Sequence, residues 1–586
     1  MYTLPKIDRF NQEVLSKYHI YNSVFITLPF DSIDNTGVLL PLFTDVCDTG
    51  FKKQETPKEI VNFFDKKYLH SVSEKEKIDL MFRFIQYIER QIVLFDAIED
   101  AAFAVVNNIE GIGSLRDIKE KSDVDNNKEE LIDCLENFNV RTVLTAHPTQ
   151  FYPGAVLGII NDLTDAIRKN NLLEIKQLLA QLGKTPFIQN EKPNPFDEAV
   201  SLIWYLENVF YETSGEMIHY LQKNLLNGEP IKNQLIKLGF WPGGDRDGNP
   251  FVTTEITLKV ADRLRTSILK CYYVEMRNLK RKLTFSGVNV LVSELEYKLY
   301  RSVFYSKGEI YISLEEFKSQ LIKIKTIIVE QHQSLYLEEL EALLIKVNLF
   351  GFHFASLDIR QNSKIHDAVF KDVVNYYLNT GTNVFPENYF QLTENEKFDV
   401  LSKVKGNLDP NVFDNEITKS TLESIQAIKK IQVTNGESGS DRYIISNNES
   451  ALNVMETFAL FHLNNWEDLS VDIIPLFESV EDLQNAHIIM EKLYTNPAYA
   501  NHLTNRNNKQ TIMLGFSDGT KDGGYLMANW SIYKAKEELT TMSRKYGIHA
   551  IFFDGRGGPP ARGGGKTHKF YASLGPKIEN SEIQVT

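Results

Sequence analysis

Apolar residues follow two different spacings along this chain. In the first part, Met81, Ile85, Ile88, Ile92 and Phe95 recur at steps of three and four, with Arg83, Glu89, Arg90 and Asp96 between them. That spacing predicts a helix with one apolar face, and residues 1–139 read as a helical region. Within it, the polar stretch Lys119 to Glu130 reads as a loop or an exposed helix. From residue 140 the pattern changes. Short apolar runs appear at Val140–Leu144, Leu238–Trp241, Leu349–Ile359, Tyr443–Ile445, Val471–Phe477, Thr511–Phe516 and His549–Phe553. Each ends abruptly in a polar or glycine-rich cluster, which predicts buried strands with loops at their C-terminal ends.

Helical patterns separate several of these runs. One is Leu422, Ile425, Ile428 and Ile431, with Ser420 or Thr421 as caps and Gly436 as the stop. Strands alternating with helices predict parallel pairing. Polar residues at successive strand ends fit a predominantly helical, TIM-like β/α barrel with many extra helices, whose site is built at that rim. A doubly wound sheet is the alternative. The seven runs fall one short of the eight strands of such a barrel. The last residues, Ile583 to Thr586, look like the start of an eighth strand, so residues 140–586 are expected to form a barrel that is truncated and incomplete in this chain.

Composition narrows the function classes. The 586 residues carry 64 Lys plus Arg against 78 Asp plus Glu, a formal charge of −14. That excess argues against a sequence-independent grip on nucleic acid, but not against a small anionic substrate held by a few arginines in a cleft. The three cysteines, Cys47, Cys134 and Cys271, are far apart and suggest neither a disulfide framework nor a zinc site. No signal-peptide pattern or membrane-length apolar run is seen, so a cytoplasmic protein is expected.

Candidate chemistry sits at the ends of the predicted strands. His147, in Thr145-Ala146-His147-Pro148-Thr149, is held extended by Pro148 and is placed as a general base or as a hydrogen-bonded structural histidine. Gly243-Gly244-Asp245-Arg246-Asp247-Gly248-Asn249 interleaves polar side chains with turn residues, which suits an anion site, a rigid polar scaffold or a plain turn. Glu478 and Asp518 each follow an apolar run. Two carboxylates on neighbouring strand ends can hold one Mg²⁺ or Mn²⁺, or be unrelated loop residues. Arg556 and Arg562 lie in a glycine-rich run suited to gripping phosphate or carboxylate. Its spacing is not that of a P-loop. Arg360 and Lys521 add positive charge at other strand ends.

Taken in order, these motifs resemble the phosphoenolpyruvate carboxylase family. The residues that carry the likeness are Val143–Thr149, Gly243–Pro250, Leu357–Gln361, Leu476–Glu478 with Asp482, Leu483, Asn485 and Ala486, Gly515–Asp518 with Lys521 and Asp522, and Gly555–Gly558 with Arg562–Gly564. The resemblance implies phosphoenolpyruvate and bicarbonate as substrates, oxaloacetate and phosphate as products, Mg²⁺ or Mn²⁺ as cofactor, and a homotetramer for the full-length protein. It implies Glu478 and Asp518 as metal ligands and His147 as the base acting on carboxyphosphate. Arg360, Arg556 and Arg562 would stabilise phosphate, carboxylate and enolate charge, with Lys521 beside them. Two departures stand out. Asp554 occupies the place where members usually have histidine, and the family sequence continues well beyond the point matching Thr586. An inactive fragment or pseudoenzyme that only binds a ligand or partner is the competing expectation. A different metal enzyme on the same barrel, acting on an enolpyruvyl substrate, is a third.

Overall fold

The computed structural model describes residues 4–26, 36–70, 72–109, 111, 113–145, 152–187, 193–305, 311–555 and 567–586. They group into two compact units, residues 1–126 with 147–192, and residues 127–146 with 193–586.

The first unit is helical. Its longest element, Glu74–Asn107, opens with a capping box: the Ser73 hydroxyl accepts from the Glu76 N–H, and the Glu76 carboxylate accepts from the Ser73 N–H. The covered face of this helix is Leu80, Phe84, Tyr87, Leu94, Ala97 and Ile98. The sequence spacing picked out the other face: Ile85, Ile88 and Ile92 are 52%, 42% and 48% exposed. The helix is apolar on both sides, and its partners decide which side is buried. Helix Gly154–Arg168 packs along the Leu94–Ile98 side, and Phe25 meets the Tyr87 ring at 5.4 Å. Arg90 is buried on this face because its guanidinium donates to the carbonyls of Leu182 and Thr185 at 3.1 and 2.8 Å. The polar stretch at 119–130 is largely exposed and mostly helical, in Leu115–Asp125 of this unit and Lys128–Asn137 of the second.

The second unit holds a parallel sheet of nine segments: β1 Asn139–Leu144, β2 Ile236–Phe240, β3 Ser356–Leu357, β4 Ile359–Asn362, β5 Arg442–Ser446, β6 Asp472–Phe477, β7 Lys509–Gly515, β8 His549–Gly555 and β9 Glu582–Val585. Their order around the sheet is β3-β2-β1-β9-β8-β7-β6-β5-β4. The two ends, β3 and β4, are halves of one extended segment interrupted at Asp358. β3 pairs with β2 and β4 with β5, so the sheet is a nearly closed barrel with a seam at that interruption. One bridge, Asp245 to Arg360, stitches the seam. The C-terminal strand is paired on both sides, with β1 and with β8. The discontinuity therefore lies at Asp358 and not at the last strand, where an open edge was expected. The predicted run at 349–359 is also shorter than expected: Leu337–Phe350 is a helix, and only Ser356 onward is extended.

Strand alternation fills the barrel in tiers. Val143, Ile444, Ile474, Leu476, Met513 and Phe553, with Trp241, form an apolar cluster. Two residues earlier on β1 and β5 stand Arg141 and Arg442, both buried. They converge on Asp358, which is fully buried: Arg141 Nη2 lies 2.6 Å and Arg442 Nε 3.3 Å from Oδ1. Trp241 Nε1 donates to Oδ2 at 3.1 Å.

Outside the sheet, Glu416–Asn435 is the helix that the leucine and isoleucine spacing anticipates. Asn415 caps it, however, and it starts before Ser420. Among the described residues, no helix is long and apolar enough to cross a membrane.

Two consequences are testable. Asp358→Asn removes the ion-pair partner of Arg141 and leaves Arg442 only the more distant field of Asp472 and Asp441, and breaking such a cluster costs about 3–5 kcal/mol. Its urea midpoint should fall well below that of the wild type, and an unchanged midpoint would show that the seam does not depend on this carboxylate. The second concerns Glu456, on helix Ala451–Leu463. Its Oε2 is buried without a partner. Burial, with Asp367 adding to it and Lys397 and Lys371 opposing, pushes this carboxyl up to about 8. A carboxyl raised on folding favours the native state at low pH, and that advantage is lost as pH rises from its ordinary value through about 8. The stability of Glu456→Gln relative to wild type should therefore climb from pH 5 to pH 8 and then level off. Parallel pH–stability curves would refute this.

Candidate active site

The C-terminal ends of β2, β4, β6 and β7 build one rim of the barrel, and the glycine-rich loop after β2 is its frame. Gly243 (φ 84°) takes a left-handed turn, and a Cβ there would meet Val260 at 2.6 Å. At Gly244 a Cβ would fall 2.1 Å from the Asp358 carbonyl, so the loop can lie against the seam only with glycine in that place. The contact is sealed by two backbone bonds: Arg360 N–H donates to Gly244 O at 3.0 Å, and Arg246 N–H to Arg360 O at 2.9 Å. The Arg246 side chain faces Ser420, donating to its carbonyl at 2.9 Å and to its hydroxyl. Of the three expectations for this motif, the rigid polar scaffold is the one its geometry fits.

The scaffold orients Arg360. Its Nε donates to Asp245 Oδ1 at 2.7 Å, its Nη2 stands 3.7 Å from Asp247, and its guanidinium lies 4.8 Å from the Trp241 ring centroid. Burial works against the charge of Arg360, but Asp245 and Asp247 outweigh it and hold its proton affinity above the ordinary value. Asp247 also accepts from Asn362 Nδ2 at 3.3 Å.

Glu478 directly follows β6, next to Ser479, which caps helix Val480–Tyr494. Its Oε2 accepts the Asn447 N–H at 2.7 Å. The carboxyl sits above its ordinary value because burial disfavours the charge. The Asn447 N–H opposes that shift, Asp518 adds to it, Arg360 offsets it and Asp247 adds again. Asp518 lies in the first turn after β7, half-exposed, with Lys521 Nζ at 2.9 Å. Asp522 ties the two loops together by accepting the Val480 N–H at 2.9 Å. Glu478 thus stands among Asp518, Asp247 and Arg360.

Among the described residues, no three His, Cys, Asp or Glu side chains are grouped to enclose a metal. Two carboxylates that burden each other with negative charge suit an ion that keeps waters or substrate oxygens as its other ligands, as magnesium does. Close by, at the end of β5, the Asn448 side chain is buried with neither its nitrogen nor its oxygen partnered, and the Ser446 hydroxyl is buried and unpartnered too. Buried polar groups are seldom left so, and their presence fits a site that receives a polar guest.

His147, Arg556 and Arg562 lie outside the described residues. Asp554, in the place of the family's histidine, is fully buried at the end of β8. Lys536 Nζ is 2.8 and 2.9 Å from its two oxygens, and the Tyr571 hydroxyl donates to Oδ2 at 2.8 Å. Sequence reasoning did not find Trp241 beneath Arg360, the Asn447 N–H on Glu478, or Lys536 against Asp554. The only trace of the second was the polar cluster at 446–448.

Fold and rim together define a β/α-barrel protein with an arginine and paired carboxylates at the strand ends. The family model described as phosphoenolpyruvate carboxylase matches residues 96–303 and 293–586. The chain belongs to the phosphoenolpyruvate carboxylase family. A relative named phosphoenolpyruvate carboxylase, from Nitrosomonas eutropha, is 30% identical over 523 residues, which is 77% of this chain and 55% of that protein. The chain thus spans about half the length of the curated relative it matches.

If Glu478 and Asp518 share a cation, the wild-type chain should take up Mn²⁺ in an equilibrium titration followed by electron paramagnetic resonance. Glu478→Gln and Asp518→Asn should each weaken that uptake by at least about tenfold. Equal uptake by both variants would remove these residues from the metal.

Proposed function

We propose that this chain provides the barrel and the catalytic rim of a phosphoenolpyruvate carboxylase, which joins phosphoenolpyruvate and bicarbonate to give oxaloacetate and phosphate. The observation that carries this reading is the Arg360 scaffold beside Glu478 and Asp518, on a chain of this family. In the reaction, a bicarbonate oxygen attacks phosphorus and the bond from phosphorus to the enol oxygen breaks, giving carboxyphosphate and the enolate of pyruvate. Carboxyphosphate then loses its carboxyl proton and splits into carbon dioxide and phosphate. The methylene carbon of the enolate attacks carbon dioxide to form oxaloacetate.

Each step gathers negative charge, and preorganised cations are the economical way to stabilise it. Arg360 is such a cation: Asp245, Asp247 and Trp241 fix its plane before substrate arrives. Arg556 and Arg562 take the same kind of role from the loop after β8, and His147 accepts the carboxyphosphate proton. Glu478 and Asp518 would hold Mg²⁺ or Mn²⁺, which supplies Lewis acidity toward the enolate oxygen. Lys521, paired with Asp518, is available to a substrate oxygen at the same spot. Asp554 has no part in proton transfer in this scheme, because Lys536 and Tyr571 already occupy its carboxylate.

The test is oxaloacetate formation from phosphoenolpyruvate, bicarbonate and Mg²⁺ by these 586 residues and by a polypeptide extended to the natural stop codon. Because the chain spans 55% of its relative, turnover is expected from the extended polypeptide and little from the chain alone. In the extended polypeptide, His147→Asn and Asp518→Asn should each lower kcat by at least about 100-fold. A folded extended polypeptide without turnover would favour a ligand-binding pseudoenzyme, and wild-type turnover in either variant would strike that residue from its role. In the full-length protein a cytoplasmic homotetramer is the assembly this reading implies, to be checked by sedimentation.

A further inference from the structure

The foot of the barrel, at the strand starts and so at the end away from Glu478 and Asp518, holds a partly open chamber of ≈ 290 Å³. A water molecule occupies about 30 Å³ of liquid, so the chamber has room for a small solute with its hydration. Nine of its nineteen lining residues are charged, and the charges are unevenly distributed. On one side, Glu437, Asp441 and Asp472 surround Arg506, at 2.7, 3.9 and 2.6 Å. On the other side, Arg141, Arg442, Lys237 and Lys509 share Asp358 and Glu582, and Arg442 also feels Asp472 and Asp441 across the chamber.

The cationic side has donors left over. Arg141 gives Nη2 to Asp358, but its Nε is buried with no partner. Lys237 Nζ reaches no closer than 3.7 Å to Glu582, which Lys509 already holds. Arg442 donates Nη2 to Gln584 at 2.6 Å and shares Asp358 with Arg141. The wall is also shaped to keep Arg141 in place: a Cβ at Gly239 would fall 2.9 Å from its Nη2. Burial lowers the Lys237 ammonium, Glu582 opposes this, and Lys509, Arg141 and Arg442 lower it further.

We infer that this chamber is a second ligand site, binding a small divalent oxyanion of the phosphate type between Arg141, Lys237 and Arg442. Arg141 and Lys237 are the groups whose donors their carboxylate partners leave unused, and such an ion would take them up. Guanidinium groups present the paired donors that phosphate oxygens accept. The acidic wall around Arg506 confines the ion to the opposite side. Because the lining comes from the starts of most strands, occupancy would draw the foot of the barrel together and act as a stabilising ligand. The site is separate from the rim and does not depend on the reaction assigned there.

Inorganic phosphate is the probe, titrated calorimetrically into the full chain at constant ionic strength set with chloride. One saturable site should survive Arg360→Gln, which disables the rim. The same site should weaken at least tenfold in Lys237→Gln and recover in Lys237→Arg. Lys237 is the safest residue to change, since its side chain is 32% exposed. Three results would overturn the inference: no saturable binding, equal affinity in Lys237→Gln, or loss in Arg360→Gln alone, which would place the phosphate at the rim.

Discussion

Asp358 interrupts the strand that closes the barrel, and groups from three other places in the chain meet on its carboxylate: Arg141 from β1 and the Trp241 indole just past β2 as hydrogen-bond donors, and Arg442 from β5 as an ion-pair partner. The interruption and the ion cluster belong together. A strand that changes partner, from β2 on one half to β5 on the other, cannot carry a continuous ladder. The pull of two guanidinium groups on one buried carboxylate supplies what the missing ladder bonds do not. Desolvating three charges is costly, and such a cluster persists only with its hydrogen bonds well aimed. Here each oxygen of Asp358 has a donor, and the apolar tier of Val143, Ile444, Ile474 and Phe553 keeps water from competing above it.

The same seam sets the rim. Gly244 lies against the Asp358 carbonyl, and the bonds between Gly244, Arg246 and Arg360 run directly on from the broken ladder. Arg360 is therefore held by the closure of the barrel itself as well as by Asp245 and Asp247. A guanidinium that spends its Nε on Asp245 and rests on Trp241 still offers its outer edge. It faces the field of Glu478, which carries more negative charge from its neighbours than Arg360 alone offsets. Stability at the seam and charge at the rim are thus two effects of one local geometry.

Much of this was legible in the sequence, for a physical reason. A strand buried on both faces must be apolar, and a barrel strand must end where its polar site residues begin. The runs ending at Leu144, Ile445, Phe477 and Phe553 therefore marked both fold and rim. Glu478 and Asp518 were singled out because each is the first charge after such a run. What could not be read was anything decided by distant partners. Arg141 and Asp358 are 217 positions apart, and nothing local marks either as half of an ion pair. The choice between the two apolar faces of Glu74–Asn107 was likewise made by other helices. The position of the seam was hidden because Leu349 and Phe350, apolar and adjoining the strand, serve a helix instead.

Asp554 shows how a change that looks chemical can be absorbed structurally. Read alone, a carboxylate where the family has an imidazole alters the charge beside the site and casts doubt on its chemistry. In the folded chain that carboxylate is fully buried, neutralised by Lys536 from the helix before β8 and hydrogen-bonded by Tyr571 from the helix after the glycine-rich run. A buried charge without such partners would cost several kcal/mol, so Asp554 and Lys536 are tolerable only together. The pair also links β8 to the elements on both sides of it in sequence, Phe516–Lys545 and Thr567–Ala572. An imidazole could accept from only one of these donors at a time. The carboxylate holds both, so at this position it serves as an anchor between β8 and its two neighbours in sequence.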